Sequence, residues 1–479
     1  MEMHKNYVNG KFIAHGGGDR IAVLNPARGD VVGEIPDTSQ DIVQQAIDAA
    51  KSAQIPWGKR PPIERAGHLR RIAAKIREKT EVIATAISQE QGKVLALARV
   101  EVAFTADYLD YMSEWARRME GEIIPSDRAG ENIFMFRQPI GVIGGILPWN
   151  FPFFLIARKM APALITGNTI VIKPSEETPN NAAMFTQLLA ETDLPAGVFN
   201  MVYGRGATAG QALAGSPDIG MISFTGSVET GSAIMAAAAR NITKVNLELG
   251  GKAPAIVMDD ADIDLAVKAI TASRVINSGQ VCNCTERVYV HSRVADEFTS
   301  KFAAAMQRTS YGDPLGEKPV DMGPLINAAA ARKVQGMVDR AIAGGAQAAT
   351  GGSMIEQDGG FYFEPTVLVN CQQDMEIMHK EIFGPVAPVH IIHDLDEAIA
   401  KANDSTYGLT SSIYTRNLGS AMRAANEIRC GETYINRENF EAMQGFHAGT
   451  ARSGIGGADG KHGLYEHTQT HMVYIQNES

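Results

Sequence analysis

The run Gly141-Val142-Ile143-Gly144-Gly145-Ile146-Leu147-Pro148-Trp149-Asn150 decides the fold: a short uncharged apolar strand that ends abruptly in a proline turn. The uncharged window around it, Gln138 to Ala157, raises the question of a membrane span. Pro139, Pro148 and Pro152, with Gly141, Gly144, Gly145 and Asn150, interrupt it, whereas a spanning helix needs a continuous apolar run. The window therefore reads as a buried strand and turn. Four more apolar strands follow, Thr169–Lys173, Val198–Tyr203, Gly220–Phe224 and Lys244–Leu249, separated by helix-sized or turn segments. That alternation predicts an α/β protein with a parallel sheet covered on both faces. Ligands of such sheets bind outside the carboxyl ends of the strands. Pro148-Trp149-Asn150, Lys173-Pro174-Ser175-Glu176, Thr225-Gly226-Ser227 and Glu248 all fall there.

Working outward, a second α/β region runs from about 253 to 442, with strands near Val288–Val290, Tyr362–Leu368 and Leu409–Tyr414. Toward the N-terminus, residues 1 to about 36 read as short strands, with Asn9-Gly10 as a hairpin corner. Thr38 or Ser39 caps a helix expected to end near Ala53, before Pro56. Others are expected from near Pro62 and over about Leu95 to Met119. Gly121–Ile140 and Gln469–Gln476 are strand-like pieces far apart in sequence. Exposed, they would make hazardous sheet edges, so a second subunit is expected to cover them in a homo-oligomer.

The 479 residues suffice for two or three domains, and 45% hydrophobic with 20% charged residues is an ordinary globular composition. A formal charge of −10 without acidic or basic blocks excludes a nucleic-acid surface and a polybasic membrane patch. Residues 1–10 lack the apolar core of a signal peptide. The four cysteines, Cys282, Cys284, Cys371 and Cys430, give no disulfide framework and suit a reducing, cytoplasmic setting. Cys282-Asn283-Cys284 has no companion cluster with metal-ligand spacing, so no metal is expected.

Two ends of one stretch carry candidate chemistry. Leu247-Glu248-Leu249-Gly250-Gly251-Lys252 sets a carboxylate between leucines, where desolvation can raise it toward a working base; it reads equally as a strand end. Asn277-Ser278-Gly279-Gln280-Val281-Cys282 sets a thiol after a small turn, where it can be a nucleophile or simply pack. Asn150, fixed between prolines, can donate to a developing oxyanion. Lys173 and Glu176 can hold ribose hydroxyls, and a carboxylate there would repel a 2′-phosphate, favouring NAD over NADP; a solvated loop is the alternative. Ser227 can hold a pyrophosphate at a helix start or merely cap that helix. Gly204-Arg205-Gly206-Ala207-Thr208-Ala209-Gly210 resembles a dinucleotide fingerprint but is one residue too long.

With Phe151-Pro152 completing the Pro148 motif, Phe224-Thr225-Gly226-Ser227, Glu248-Leu249-Gly250-Gly251-Lys252, Gly279-Gln280-Val281-Cys282 and Glu381-Ile382-Phe383-Gly384-Pro385 in this order, the chain resembles the NAD(P)-dependent aldehyde dehydrogenase superfamily over nearly its full length. The resemblance implies a Rossmann-like NAD-binding domain (1–120 and 141–252), an α/β catalytic domain (253–450) and a small β oligomerisation arm (121–140 and 462–479). It implies Cys282 as nucleophile, Asn150 with the Cys282 N–H as oxyanion hole, and Glu248 as the base that activates water and yields a free acid. Glu381 would hold the nicotinamide ribose beside Phe383. Pro148, Trp149, Lys173, Ser175, Glu176, Gly206, Gly210, Gln211, Phe224 and Ser227 would complete the cofactor cleft.

Toward the substrate, Arg158 stands where relatives often carry a bulky aromatic, His447 where many carry Phe, and Asn283 follows the nucleophile. The segment Ile435–Gly449, with Glu441 and His447, is similar to that of the bacterial lactaldehyde/glycolaldehyde dehydrogenases. With Phe151 these residues imply a small, oxygen-rich aldehyde; the other reading is that Arg158 folds back into a salt bridge and His447 is a satisfied core histidine. Thr450, where those relatives carry an aromatic, implies a more open outer wall. The alternative is a succinate-semialdehyde type of substrate, its distal carboxylate bound by Arg158. A non-catalytic protein or a cofactor-free thiol esterase is the reading from another class. The presence of Cys282, Glu248, Asn150 and the cofactor residues argues against both.

Overall fold

The computed structural model describes residues 3–14 and 19–477; the parts of the expected N-terminal strands and domain ranges that fall on 1–2, 15–18 and 478–479 lie outside the described residues. The strand run that opens at Gly141 builds the larger sheet. From edge to edge it holds Lys11–Ile13, Asn6–Val8, Phe199–Met201, Thr169–Lys173, Val142–Ile146, Met221–Thr225, Lys244–Glu248 and Gly454–Ile455. The five from Phe199–Met201 to Lys244–Glu248 are parallel; the others add antiparallel edges. Every residue of Val142–Ile146 and Thr169–Lys173 is buried, as two-sided helix cover requires. Strand order runs one way from Val142–Ile146 through Thr169–Lys173 and the other way through Met221–Thr225. That reversal leaves a crevice outside their carboxyl ends, where the chain places Pro148-Trp149-Asn150 and Gly226-Ser227.

The second sheet runs Gln347–Thr350, Thr366–Val369, Val386–Ile392, Thr285–His291, Ala253–Val257, Thr410–Tyr414, Glu432–Ile435. Only Leu249-Gly250-Gly251-Lys252 separates the end of Lys244–Glu248 from the start of Ala253–Val257. The carboxyl edge of the first sheet is thereby tied to the amino edge of the second, and Cys282 lies just before the strand Thr285–His291 of that edge. A Cβ at Gly251 would fall 2.6 Å from the Cys282 carbonyl oxygen, so only glycine lets the link pass. In the third sheet Thr468–Gln476 pairs antiparallel with Glu131–Pro139, which pairs with Glu122–Ile124.

Several local expectations need correcting. The first long helix, Gln40–Gly58, runs through Pro56. The carbonyl that loses its partner, that of Ser52, lies on the exposed side, and Trp57 anchors the extra turn by donating to Leu164 O at 3.1 Å. Neither Thr38 nor Ser39 caps it by a side-chain bond; the Thr38 hydroxyl donates to Asn6 Oδ1 instead. The helix from Leu95 ends at Ser113 and tightens into a 3₁₀ turn, and a helix over Thr80–Gln91 was not expected. Tyr362–Leu368 divides at Glu364-Pro365 into Gly360–Phe363 and Thr366–Val369, which join different sheets, because proline cannot extend the ladder. The two distant strand-like pieces pair with one another, and Thr468–Gln476 remains an edge of their sheet.

Candidate active site

Asn277, Ser278 and Gly279 all take left-handed backbone conformations, which turn the chain sharply out of the helix Ile263–Val275. A Cβ at Gly279 would lie 2.4 Å from the Gly384 backbone, so this position demands glycine. Arg274 fastens the loop, donating to Gly279 O and Thr285 O and pairing with Glu286. The loop presents Cys282 to a cavity of about 320 Å³. Cys284 instead turns inward and donates to Val281 O at 2.9 Å, and burial pushes its thiol up to about 12.

Asn150 reaches the same cavity from the first sheet. Its amide donates one hydrogen to Gln280 O at 3.2 Å, and its Oδ1 accepts from Phe151 N at 3.1 Å. Its backbone carbonyl accepts from Lys93 Nζ at 2.7 Å. Lys93 is in turn paired with Glu101 at 2.6 Å, both side chains fully buried. The second Glu101 oxygen accepts the Phe153 and Phe154 N–H groups at the start of the helix Pro152–Ile165. These donors have no partner within the helix, so the carboxylate satisfies them and complements the helix dipole. Sequence reading missed Lys93 and Glu101; nothing local marks a pair whose contacts lie across the fold.

Glu248 ends its strand opposite Thr225, buried in the cavity wall. Neither carboxyl oxygen has a hydrogen-bond partner among the described residues. Burial pushes its pKa up to about 7, against the pull of His447, Arg158 and Lys159. Lys159, also unexpected, is buried without a hydrogen-bond partner among the described residues, and burial brings it down to about 8 while Glu248 opposes the shift. The adjacent cations Arg158-Lys159, in a helix whose residues are all buried, were the signal that could have revealed it.

Arg158, Asn283, Glu441 and His447 also line the cavity. Asp459, held at φ 67° and ψ 169°, accepts from Nε and Nη2 of the Arg158 guanidinium, and Glu441 Oε1 lies 3.6 Å from Nη2. Asn283 donates to the other Glu441 oxygen. His447 Nδ1 meets Glu432 Oε1 at 3.0 Å, while Nε2 lies 3.6 Å from Glu248 Oε2. Asp459 and Glu432 had not been marked. Thr450 does not line the cavity: it is exposed, its hydroxyl donating to Gly408 O. The apolar wall comes from Leu97, Val100, Phe104, Phe151 and Phe440 instead.

Pro148, Trp149, Ser227, Glu381 and Phe383 line the remaining side. Trp149 and Phe383 meet edge to face with centroids 5.6 Å apart, and Phe383 has a left-handed backbone. Glu381 accepts from Gly251 N at 2.8 Å; burial, with Glu286 nearby, pushes its carboxyl up to about 7. A Cβ at Gly250 would meet that carboxylate at 2.7 Å, and the buried Thr225 hydroxyl faces the cavity unpartnered. A glycine-floored cleft with an orphan hydroxyl and a helix start capped by Ser227 fits a nicotinamide dinucleotide. Lys173, Ser175, Glu176, Gly206, Gly210, Gln211 and Phe224 do not line this cavity. Lys173 Nζ pairs with Glu176 at 2.7 Å, and Gly206 N donates to Glu176 at 3.4 Å. Gly206–Gly210 is a single π-helical turn leading into Gln211–Ala214, and the Phe224 ring packs under Gly226.

Residues 12–473 match the model of the aldehyde dehydrogenase family. The lactaldehyde dehydrogenase of Escherichia coli (strain K12) is 60% identical over 99% of both chains. The crystal structure of lactaldehyde dehydrogenase from Escherichia coli superposes with a TM-score of 0.98, again over 99% of both chains. A 3,6-anhydro-alpha-L-galactose dehydrogenase of Vibrio sp. (strain EJY3) is 42% identical over 99% of both chains. A thiol-bearing loop, an amide and a buried carboxylate around one cavity agree with these matches, and the chain belongs to the aldehyde dehydrogenase family.

Proposed function

We propose that this enzyme oxidises a small hydroxyaldehyde, of the lactaldehyde or glycolaldehyde kind, to its carboxylic acid with NAD as cofactor. The observation that carries this reading is the polar end of the cavity, where Arg158, Asn283, Glu441 and His447 replace an apolar tunnel. Polar groups of this kind can hydrogen-bond a substrate hydroxyl, which an alkyl aldehyde does not offer. The 60% identity to a lactaldehyde dehydrogenase supports the same reading. A semialdehyde would need Arg158 for its distal carboxylate. That guanidinium is already engaged through Nε and Nη2 by Asp459, with Glu441 beside it to repel a second anion.

In this reading Cys282 adds to the aldehyde carbon, and the second Asn150 amide hydrogen and the Cys282 N–H donate to the resulting oxyanion. A bound nicotinamide supplies the hydride acceptor. Glu248, without a hydrogen-bond partner and near pKa 7, takes the proton of the water that frees the acid from Cys282. Phe151 packs beside the substrate. Lys173 and Glu176 hold ribose hydroxyls, with the Glu176 carboxylate disfavouring a 2′-phosphate and hence NADP. Ser227 holds the pyrophosphate and Glu381 the nicotinamide ribose, with Phe383 packed nearby. Pro148, Trp149, Ser175, Gly206, Gly210, Gln211 and Phe224 complete the cleft.

The same reading divides the chain into a cofactor domain (1–120 and 141–252), a catalytic domain (253–450) and an arm (121–140 and 462–479) that joins subunits into a dimer or tetramer. Four free cysteines suit a cytoplasmic enzyme, and no helix among the described residues is long and apolar enough to cross a membrane. The test compares kcat/KM for glycolaldehyde, lactaldehyde and succinate semialdehyde with NAD. Higher values for the two hydroxyaldehydes are expected; a clear preference for the semialdehyde would overturn the assignment.

A further inference from the structure

The backbone at Asp459, φ 67° and ψ 169°, lies in a region that suits glycine and strains a residue with a Cβ. Hydrogen bonds on both sides hold it there. Ala458 exchanges reciprocal bonds with His447 at 2.9 and 2.8 Å, Gly460 N donates to Met443 O at 3.0 Å, and Gly463 N donates to Asp459 O at 2.8 Å. The turn is thus stitched to the segment that carries Glu441 and His447 into the cavity wall. Asp459 starts the helix Gly460–Glu466, yet its side chain does not cap it. Among the described residues its carboxylate hydrogen-bonds only Arg158: Oδ1 accepts from Nε at 3.0 Å, and Oδ2 accepts from Nη2. Both side chains are buried, Asp459 2% and Arg158 6% exposed. A position that would relax with glycine therefore carries a carboxylate whose hydrogen bonds serve one guanidinium.

We infer that Asp459 is a positioning residue that sets substrate specificity: it fixes the Arg158 guanidinium and cancels its charge, so that Arg158 serves a neutral hydroxyl and does not hold a carboxylate. The inference rests on the hydroxyaldehyde reading and names the residue that enforces it. Arg158 lines the cavity from the helix Pro152–Ile165, with Cζ 5.4 Å from the centroid of the Phe154 ring. The ring on one face and Asp459 along the Nε–Nη2 edge together fix the guanidinium plane. Nη2 is also 3.6 Å from Glu441 Oε1, and Nη1 donates to no described residue. One cation thus stands against two carboxylates. A third carboxylate, that of a semialdehyde, would have to shed its water and enter against a surplus of negative charge. A hydroxyl brings no charge; it can accept from Nη1 and donate to Glu441. Without Asp459 the buried cation would keep only the looser Glu441 contact, and its fork would suit a distal carboxylate.

The test measures kcat/KM, by NADH formation in the full-length enzyme, for lactaldehyde, succinate semialdehyde and the methyl ester of succinate semialdehyde, which keeps the chain and loses the charge. In wild type the ester should be a better substrate than the acid. In Asp459→Asn, and in Asp459→Gly, which relaxes the backbone, the ratio of acid to ester should rise about tenfold or more. A merely structural role, or a pocket made simply wider, would move acid and ester together; an unchanged ratio in both variants would overturn the inference. Arg158→Met/Asp459→Leu, in which neither member of the pair is left alone, should show no rise, and a rise there would overturn Arg158 as the group that Asp459 restrains. A wild-type preference for acid over ester would overturn the inference even if no variant folds, while leaving the hydroxyaldehyde reading in place. A wild-type preference for the acid over lactaldehyde would overturn that reading as well.

Discussion

A carboxylic acid that titrates near 7 works as a base only once it has lost its proton. Burial raises Glu248 to about 7, so turnover limited by acyl release should rise with pH through that value and fall on the acid side. Glu248→Gln should lower kcat by about 10²–10⁴-fold and abolish that acid limb; steady-state kcat across pH 5.5–9 checks both. In the proposed mechanism Asn150→Ala removes a donor to the developing oxyanion, and a loss of about 10²–10³-fold in kcat with little change in KM is expected. Both residues were legible because they close short motifs that stand alone in the sequence. Glu432 and Asp459 were not, since each acts only on a side chain far away in the chain, Glu432 on His447 and Asp459 on Arg158.

At the scale of elements, the turn that presents Asn150 is held from below by the buried Lys93–Glu101 pair. Lys93→Met would leave Glu101 charged and unpaired in the interior and should cost about 3–5 kcal/mol of stability. Urea unfolding of the single variant and of Lys93→Met/Glu101→Gln tests this: the double variant should recover part of the loss. The strands around the crevice could be read from sequence because two-sided burial writes them as unbroken apolar runs. Helix ends were harder. Pro56 looks like a stop, but the bond it forfeits lies on the exposed side while Trp57 pays that back in the core.

For the whole molecule, the three-stranded sheet leaves Ile123 78%, Phe136 49% and Ile475 45% exposed on one face. An apolar face of this kind suits a subunit interface, and Phe136→Asp/Ile475→Asp should shift the enzyme to a smaller species in sedimentation. An unchanged mass would contradict the proposed arm. At the same scale, the tie between the carboxyl edge of one sheet and the amino edge of the other brings Asn150, Glu248 and Cys282 to one cavity. That convergence is tested most directly by incubating Glu248→Gln with lactaldehyde and NAD and measuring the intact and peptide masses. Acylation should proceed and release should stall, so NADH should form in a single burst and the Cys282 peptide should carry one lactoyl group. NADH formation with the acyl group on another residue, or steady turnover with Cys282 unmodified, would contradict the account.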